Sequence, residues 1–163
     1  MSAPGRGPAV ELAPLVKTLE VRRSAAEAFR LFTEEMTAWW PLATHTLAKD
    51  AKGERTERVV FEPRVGGRIY ERLNTGAERD WGEVLAFEPG RRVRFTFQMG
   101  RPKEASGEVE VRFEPLDGAR CRVVLMHDHW ERLGPEAEVM RGRFAQGWQA
   151  VFEQGFGAFA GKC

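Results

Sequence analysis

Three pairs of short strands follow one another along this chain, each joined by a turn tight enough to dictate an antiparallel hairpin. The first pair, 59–62 and 68–73, flanks Gly66-Gly67; the second, 81–87 and 91–98, flanks Glu88-Pro89-Gly90. The third, 106–114 and 120–128, turns around Leu116-Asp117-Gly118. Glycine, proline and aspartate at these points supply the backbone angles that such turns need. Short adjacent hairpins build an antiparallel sheet. A further strand is expected over 15–21, where Leu15, Leu19 and Val21 share one face and Lys17 intrudes. Together these make a seven-stranded antiparallel sheet.

Helices stand on either side of the hairpins. Ser24-Ala25-Ala26-Glu27 is a capping box, and Ala28, Phe29, Leu31 and Phe32 form the buried side of the helix it starts. A second short helical segment over 33–40 carries Met36, Trp39 and Trp40 and ends before Pro41. Residues 42–53 are polar and unpatterned apart from His45 and Leu47, and read as a loop. The last element is a long helix opened by Gly134-Pro135-Glu136, with Glu136 and Glu138 at the positive end of its dipole. Met140, Phe144, Trp148, Phe152 and Phe156 recur every four residues along it, with Val151 and Phe159 in the same stripe. Gly142, Gly147, Gly155 and Gly157 interrupt it, which implies close approach, curvature or a frayed end.

Composition narrows the function classes. The 163 residues suit one domain with a substantial core. Lys plus Arg total 25 and Asp plus Glu total 24, so no charge bias favours nucleic acid or an anionic membrane. No apolar run is long enough to span a bilayer, and no hydrophobic signal segment is present; a cytoplasmic location is expected. Residues 1–13 are rich in Pro, Gly and Ala and are expected to form a disordered leader, with 14–163 as the single folded domain. Cys121, inside a strand pattern, is expected to act as a small hydrophobe, and Cys163 is the last residue. Neither oligomeric state, monomer or homodimer, is favoured.

Strand alternation groups Val93, Phe95 and Phe97 on one face, as it does Val109, Val111 and Phe113, and Val123, Leu125 and His127. The aromatic helix is expected to cover them. Most of these residues are core, yet a sheet curved around one helix leaves volume at its open end. Trp39, Trp40, Trp81, Phe97, His127, Met140, Phe144 and Trp148 are the candidate ligand-binding residues there: aromatics for contact area and stacking, His127 for a hydrogen bond from the rim.

Catalytic and metal readings are weaker. His127 and His129 lie two apart at a strand end and need Glu131, Asp128 or His45 as a third metal ligand; with three histidines in all, no metal and no cofactor are expected. No Gly-x-Ser-x-Gly elbow occurs, and the serines are Ser2, Ser24 and Ser106. Gly66-Gly67 is followed by a strand rather than a helix, so it is no phosphate loop. Glu71 and Glu83 lie on alternating strands where carboxylates face solvent; turned inward, they would join His127 as groups able to move a proton. No catalytic residue is assigned.

Phe61-Glu62-Pro63-Arg64-Val65-Gly66-Gly67-Arg68, then Trp81-Gly82-Glu83-Val84 and Phe87-Glu88-Pro89-Gly90-Arg91-Arg92-Val93, resemble the SRPBCC (START/Bet-v-allergen-like) superfamily. His127-Asp128-His129-Trp130-Glu131-Arg132-Leu133 and Gly147-Trp148 extend the resemblance to its bacterial branch homologous to the activator of the heat-shock-chaperone ATPase, over about 15–160. The resemblance implies an α+β helix-grip fold: a seven-stranded antiparallel sheet wrapped around a long C-terminal helix, with two short helices between the first two strands and a ligand cavity between sheet and helix. Superfamily members include lipid carriers, hormone receptors, polyketide cyclases and chaperone co-activators, and a shared fold does not choose among them. Chaperone activation is not carried over, because the eukaryotic activators hold an additional N-terminal domain. The expected function is binding or sequestration of a small hydrophobic or aromatic molecule in the cavity, more in keeping with a carrier than an enzyme. The alternatives are a cyclase- or hydrolase-like enzyme acting on a bound polyketide or aromatic substrate, and a chaperone-interaction module with a protein partner.

Overall fold

The computed structural model describes residues 12–163. Its seven strands are β1 (Leu15–Val21), β2 (Thr56–Phe61), β3 (Arg68–Leu73), β4 (Glu78–Glu88), β5 (Arg92–Phe97), β6 (Gly107–Asp117) and β7 (Arg120–Asp128). They form one antiparallel sheet in the order β1-β7-β6-β5-β4-β3-β2. The three sequence-predicted hairpins thus run on as a single meander, and β1 closes it by pairing with β7, Leu15 opposite His127 and Val21 opposite Cys121. The Gly66-Gly67 turn docks on β4: Gly66 N–H donates to the Val84 carbonyl and Val84 N–H to that of Gly67. Gly66 has φ +83°, and a Cβ on Gly67 would stand 2.8 Å from Glu62 Cβ, so both positions require glycine.

Helix α1 (Ala25–Glu34) begins where the capping box predicts, with Ser24 Oγ accepting from Glu27 N–H at 3.1 Å. The second helix is shorter than its sequence pattern suggests. The chain breaks at Glu35 (φ −109°), leaving α2 (Met36–Trp39) as one turn that ends on Trp40.

The C-terminal helix is composite: α3 (Ala137–Trp148), a π-helical stretch Gln149–Phe156, and α4 (Gly157–Ala160). The four-residue aromatic spacing explains this. On a turn of 3.6 residues a four-residue step drifts about 40° around the axis, so a plain α-helix would carry Phe152 and Phe156 away from the sheet. The wider i→i+5 turn takes that drift back, and Trp148, Phe152 and Phe156 are all buried. Phe159, beyond the π stretch, is exposed and leaves the stripe. Gly155 explains one interrupting glycine, since a Cβ there would lie 2.8 Å from the Trp39 carbonyl oxygen.

The inward face of the sheet carries Val93, Phe95, Phe97, Val109, Val111, Phe113, Val123 and Leu125, all buried beneath the helices as alternation predicts. The outward face is an ion-pair lattice in which Arg92, Arg94, Arg112 and Arg132 cover Glu108 and Glu110. Both sheet edges are dressed by the chain itself. Thr37 Oγ1 accepts from Val59 N–H at 2.9 Å and lies 3.1 Å from the Val59 carbonyl. At the other edge Arg22 N–H donates to Gly161 O and Cys163 N–H to Glu20 O, both at 2.8 Å.

Of the sequence-predicted leader, residues 1–11 lie outside the described residues; Leu12 packs on the core, and Arg141 donates to the Ala13 carbonyl at 2.8 Å. No helix among the described residues is long and apolar enough to cross a membrane.

Candidate functional site

A cavity of about 220 Å³ opens between the sheet and the C-terminal helix. Phe97 on β5 forms its floor; Phe144, Gly147, Trp148 and Val151 come from the helix, Trp40 from the end of α2, and Met99 from the turn after β5. The fourth side is the loop after Pro41, which contributes Thr44, His45 and Thr46. The rings meet at angles rather than in stacks: Phe97 and Trp148 have centroids 4.9 Å apart, and Trp40 lies edge-on to Trp148 at 6.0 Å.

Two buried polar residues brace these walls. His127 is 1% exposed and lies behind Phe97 and Phe144, against Trp130 at 4.1 Å between centroids. Its Nδ1 accepts the Trp148 indole N–H at 3.0 Å, which places the ring proton on Nε2. Burial, with a smaller contribution from the Arg141 charge, pushes its pKa down to about 3, so the ring is neutral at pH 7. His127 therefore fixes Trp148 from behind and does not reach the cavity as a rim residue.

Glu71 overturns the expectation that it faces solvent: it is fully buried on the Ile69–Leu73 face of β3. Its carboxylate accepts from Thr46 Oγ1 (2.7 Å), Leu47 N–H (2.9 Å), Thr56 Oγ1 (3.3 Å) and Trp81 Nε1 (3.1 Å). Those donors tie the 41–49 loop to the sheet, helped by Arg79, which bonds the Leu47 carbonyl at 2.7 Å. Glu83 stays at the surface, paired with Lys103 at 2.8 Å.

The remaining sequence candidates divide. Trp40, Phe97, Phe144 and Trp148 line the cavity. Trp81 lies beside Trp40 at 4.6 Å but borders a separate void of about 10 Å³, room for one water at most. Trp39 is a core residue, packed between Phe32 and Phe156 at 5.0 and 5.1 Å with its indole on the Leu31 carbonyl. Met140 is partly buried one helical turn before Phe144 and lies outside the lining. The sequence reading missed Thr44, Thr46 and Met99 as lining residues and left His45 as an isolated exception in a loop. The helical stripe had marked Val151, though not as a site residue.

His127 and His129 do not converge on one point. His129, at φ +63°, turns its ring to Asp128 Oδ1 at 2.9 Å, while His127 points into the core. Glu108, Asp128 and His129 do cluster, but Arg94 and Arg132 already hold the two carboxylates at 2.7–2.8 Å. Guanidinium groups at these distances oppose a second cation. Cys121 is buried and its thiol is pushed up to about 11, mainly by burial, so it is no nucleophile at neutral pH.

A family model described as "Activator of Hsp90 ATPase homolog 1-like protein" matches residues 22–156. Among solved structures, an anthrahydroquino-gamma-pyrone synthase, Txn09, complexed with SUM, is 31% identical, with 80% of this chain and 86% of that chain covered and a TM-score of 0.57. An HSP90 activator from Plasmodium falciparum is 16% identical over 92% of this chain and 97% of its own, with a TM-score of 0.62. DynU16, a protein of the dynemicin biosynthetic locus, is 16% identical and covers 90% of this chain and 46% of its own, with a TM-score of 0.59. The last two likenesses carry the fold, the expected helix-grip α+β architecture. No curated protein matches.

Proposed function

The chain belongs to the family of Activator of Hsp90 ATPase homolog 1-like proteins, and from that premise we propose that it binds a small apolar, aromatic molecule between sheet and helix. The observation that carries the proposal is the cavity wall itself, with Phe97 below, Trp148 and Phe144 above and Trp40 at the side. Size supports it as well. A dry cavity of about 150 Å³ accepts a benzene ring, and drug-sized ligands occupy about 300 Å³ or more. A cavity of about 220 Å³ falls between them and suits one or two fused rings.

A catalytic reading has one specific observation in its favour, the 31% identity to an anthrahydroquino-gamma-pyrone synthase. The proton-moving groups considered from sequence do not serve it: His127 and Glu71 are engaged behind the walls and Glu83 is on the surface. The titratable side chain on the lining is His45. Chaperone binding has less support, because the activator likeness is 16% identical and the exposed large apolar side chains among the described residues are scattered: Val16 on β1, Val65 in the turn after β2, and Val139 and Phe159 near opposite ends of the composite helix.

Gly147 offers the test. It stands on the cavity wall, and a Cβ there meets nothing within 4 Å, so the side chain of Gly147→Leu starts into open space. Titration with naphthalene is expected to shift the indole N–H resonances of Trp40 and Trp148 in the wild type. In Gly147→Leu the affinity is expected to drop at least about ten-fold while stability holds or rises by about 1 kcal/mol. Wild-type spectra unmoved by the probe, or equal affinity in both proteins, would reject the cavity as a binding site.

A further inference from the structure

Three polar side chains line the cavity, and they differ in what their hydrogen-bonding atoms already hold. The Thr46 hydroxyl donates to Glu71 at 2.7 Å and accepts from Ala48 N–H at 3.1 Å. The Thr44 hydroxyl lies 2.7 Å from His45 Nδ1 and 3.5 Å from the Pro41 carbonyl. His45 itself is held by its backbone: its N–H donates to Pro41 O at 2.9 Å, and its carbonyl accepts the Trp40 indole N–H at 2.7 Å. Its Nε2 bonds to no atom of the described residues.

One arrangement of hydrogens gives every donor here an acceptor. His45 Nδ1–H donates to Thr44 Oγ1, and the Thr44 hydroxyl proton points to the Pro41 carbonyl. Nε2 is then a bare lone pair on a ring whose orientation is set by Thr44 and whose backbone is set by Trp40. No Lys or Arg lines the cavity, so a carboxylate placed there would find no permanent counter-charge and would need a proton on His45. A carbonyl or an ether brings another acceptor to an acceptor. A hydroxyl brings the missing donor.

We propose that the cavity selects an aromatic molecule carrying a phenolic or enolic hydroxyl, which donates its proton to His45 Nε2 while the ring lies among Trp40, Phe97 and Trp148. The proposal rests on the reading of the cavity as an aromatic site and adds the functional group it recognises. A weakly acidic hydroxyl is the best match, because hydrogen bonds to a ring nitrogen strengthen with donor acidity. A site built to pair a ligand hydroxyl rejects the analogue that lacks it. Thr44 is a positioning residue: it lines the cavity, but its hydroxyl is engaged by His45 Nδ1 and the Pro41 carbonyl, so it acts on the ligand hydroxyl through the ring it orients.

Three two-ring probes test this on the full chain: 1-naphthol (donor), 1-methoxynaphthalene (acceptor only) and naphthalene (neither), each titrated by following the Trp40 and Trp148 indole signals. Wild type is expected to bind 1-naphthol about three- to ten-fold more tightly than either other probe. His45→Phe is expected to lose that preference while still binding naphthalene, which also shows that the variant is folded. Thr44→Val is expected to reduce the preference without abolishing it. Naphthalene binding with no preference for 1-naphthol in the wild type would overturn the hydroxyl proposal and leave the aromatic site standing. So would a preference that survives His45→Phe. Failure of all three probes to bind would overturn both readings together.

Discussion

The cavity has a helix wall and a loop wall, and each is braced by a buried titratable residue, but by opposite means. On the helix side His127 accepts one hydrogen bond, from Trp148, and otherwise packs against Trp130, Phe97 and Phe144. On the loop side Glu71 gathers four donors, two of them from the loop itself. A neutral imidazole needs little polar company and can be held by rings. A carboxylate buried in the same sheet must have its lone pairs filled, and the residues that fill them are drawn in with it. The regular helix thus presents a wall set by packing, whereas the irregular loop presents one set by hydrogen bonds.

Acid is the most forceful way to break the comparison. The unfolded chain protonates His127 near its ordinary 6.5, whereas the folded protein resists until about 3. Stability owed to this residue is therefore unaffected above that upper value and falls as pH drops through the window, by up to about 4–5 kcal/mol in full. Denaturant unfolding from pH 7 to 3 is expected to show this loss in the wild type and a flatter curve in His127→Gln, which keeps an acceptor for Trp148. Parallel curves would mean that His127 becomes charged without unfolding. The next largest effect is expected from Glu71→Leu, which strands the donors of Trp81 and Leu47 together: about 3–4 kcal/mol lost, with faster hydrogen exchange at the Leu47 amide. A change below about 1 kcal/mol would show that water or the threonines replace the carboxylate. Smallest is Trp148→Phe, which removes the single donor to His127 and is expected to cost about 1–2 kcal/mol with the loop amides unmoved. Loop exchange that rises in this variant would show that the two walls are one mechanical unit.

The sheet was readable because its signals are local. Each hairpin announces itself by its turn residues and period-two alternation, and Ser24 with Glu27 marks the start of α1 without help from the tertiary structure. Glu71 shares its face of β3 with Ile69 and Leu73, but the rule that carboxylates face water put it outside; its partners Thr46 and Leu47 stand more than twenty positions away and leave no mark nearby. The loop wall was opaque for the same reason. Thr44, His45 and Thr46 belong to no periodic pattern, and what places them is Trp40, Pro41 and Glu71 acting across the fold. Trp39 and Trp40 look alike in sequence and both are buried, but Trp39 ends α2 and Trp40 is its extended cap, and of the two Trp40 lines the cavity. The composite helix lies between these cases: its four-residue spacing was visible, but the change of pitch that such spacing demands becomes plain only when the helix is laid on the sheet.

Open sheets invite recruitment of further strands from neighbouring molecules, since an edge presents a row of unused amide and carbonyl groups. Here the side chain of Thr37 sits on the amide and carbonyl of Val59 along one border, and the chain's last residues occupy main-chain positions of Glu20 and Arg22 along the other. Lys17, paired with Glu153, adds a charge to that second border. An incoming strand would have to displace these contacts before it could register, so association through the borders is opposed while the cavity mouth stays open.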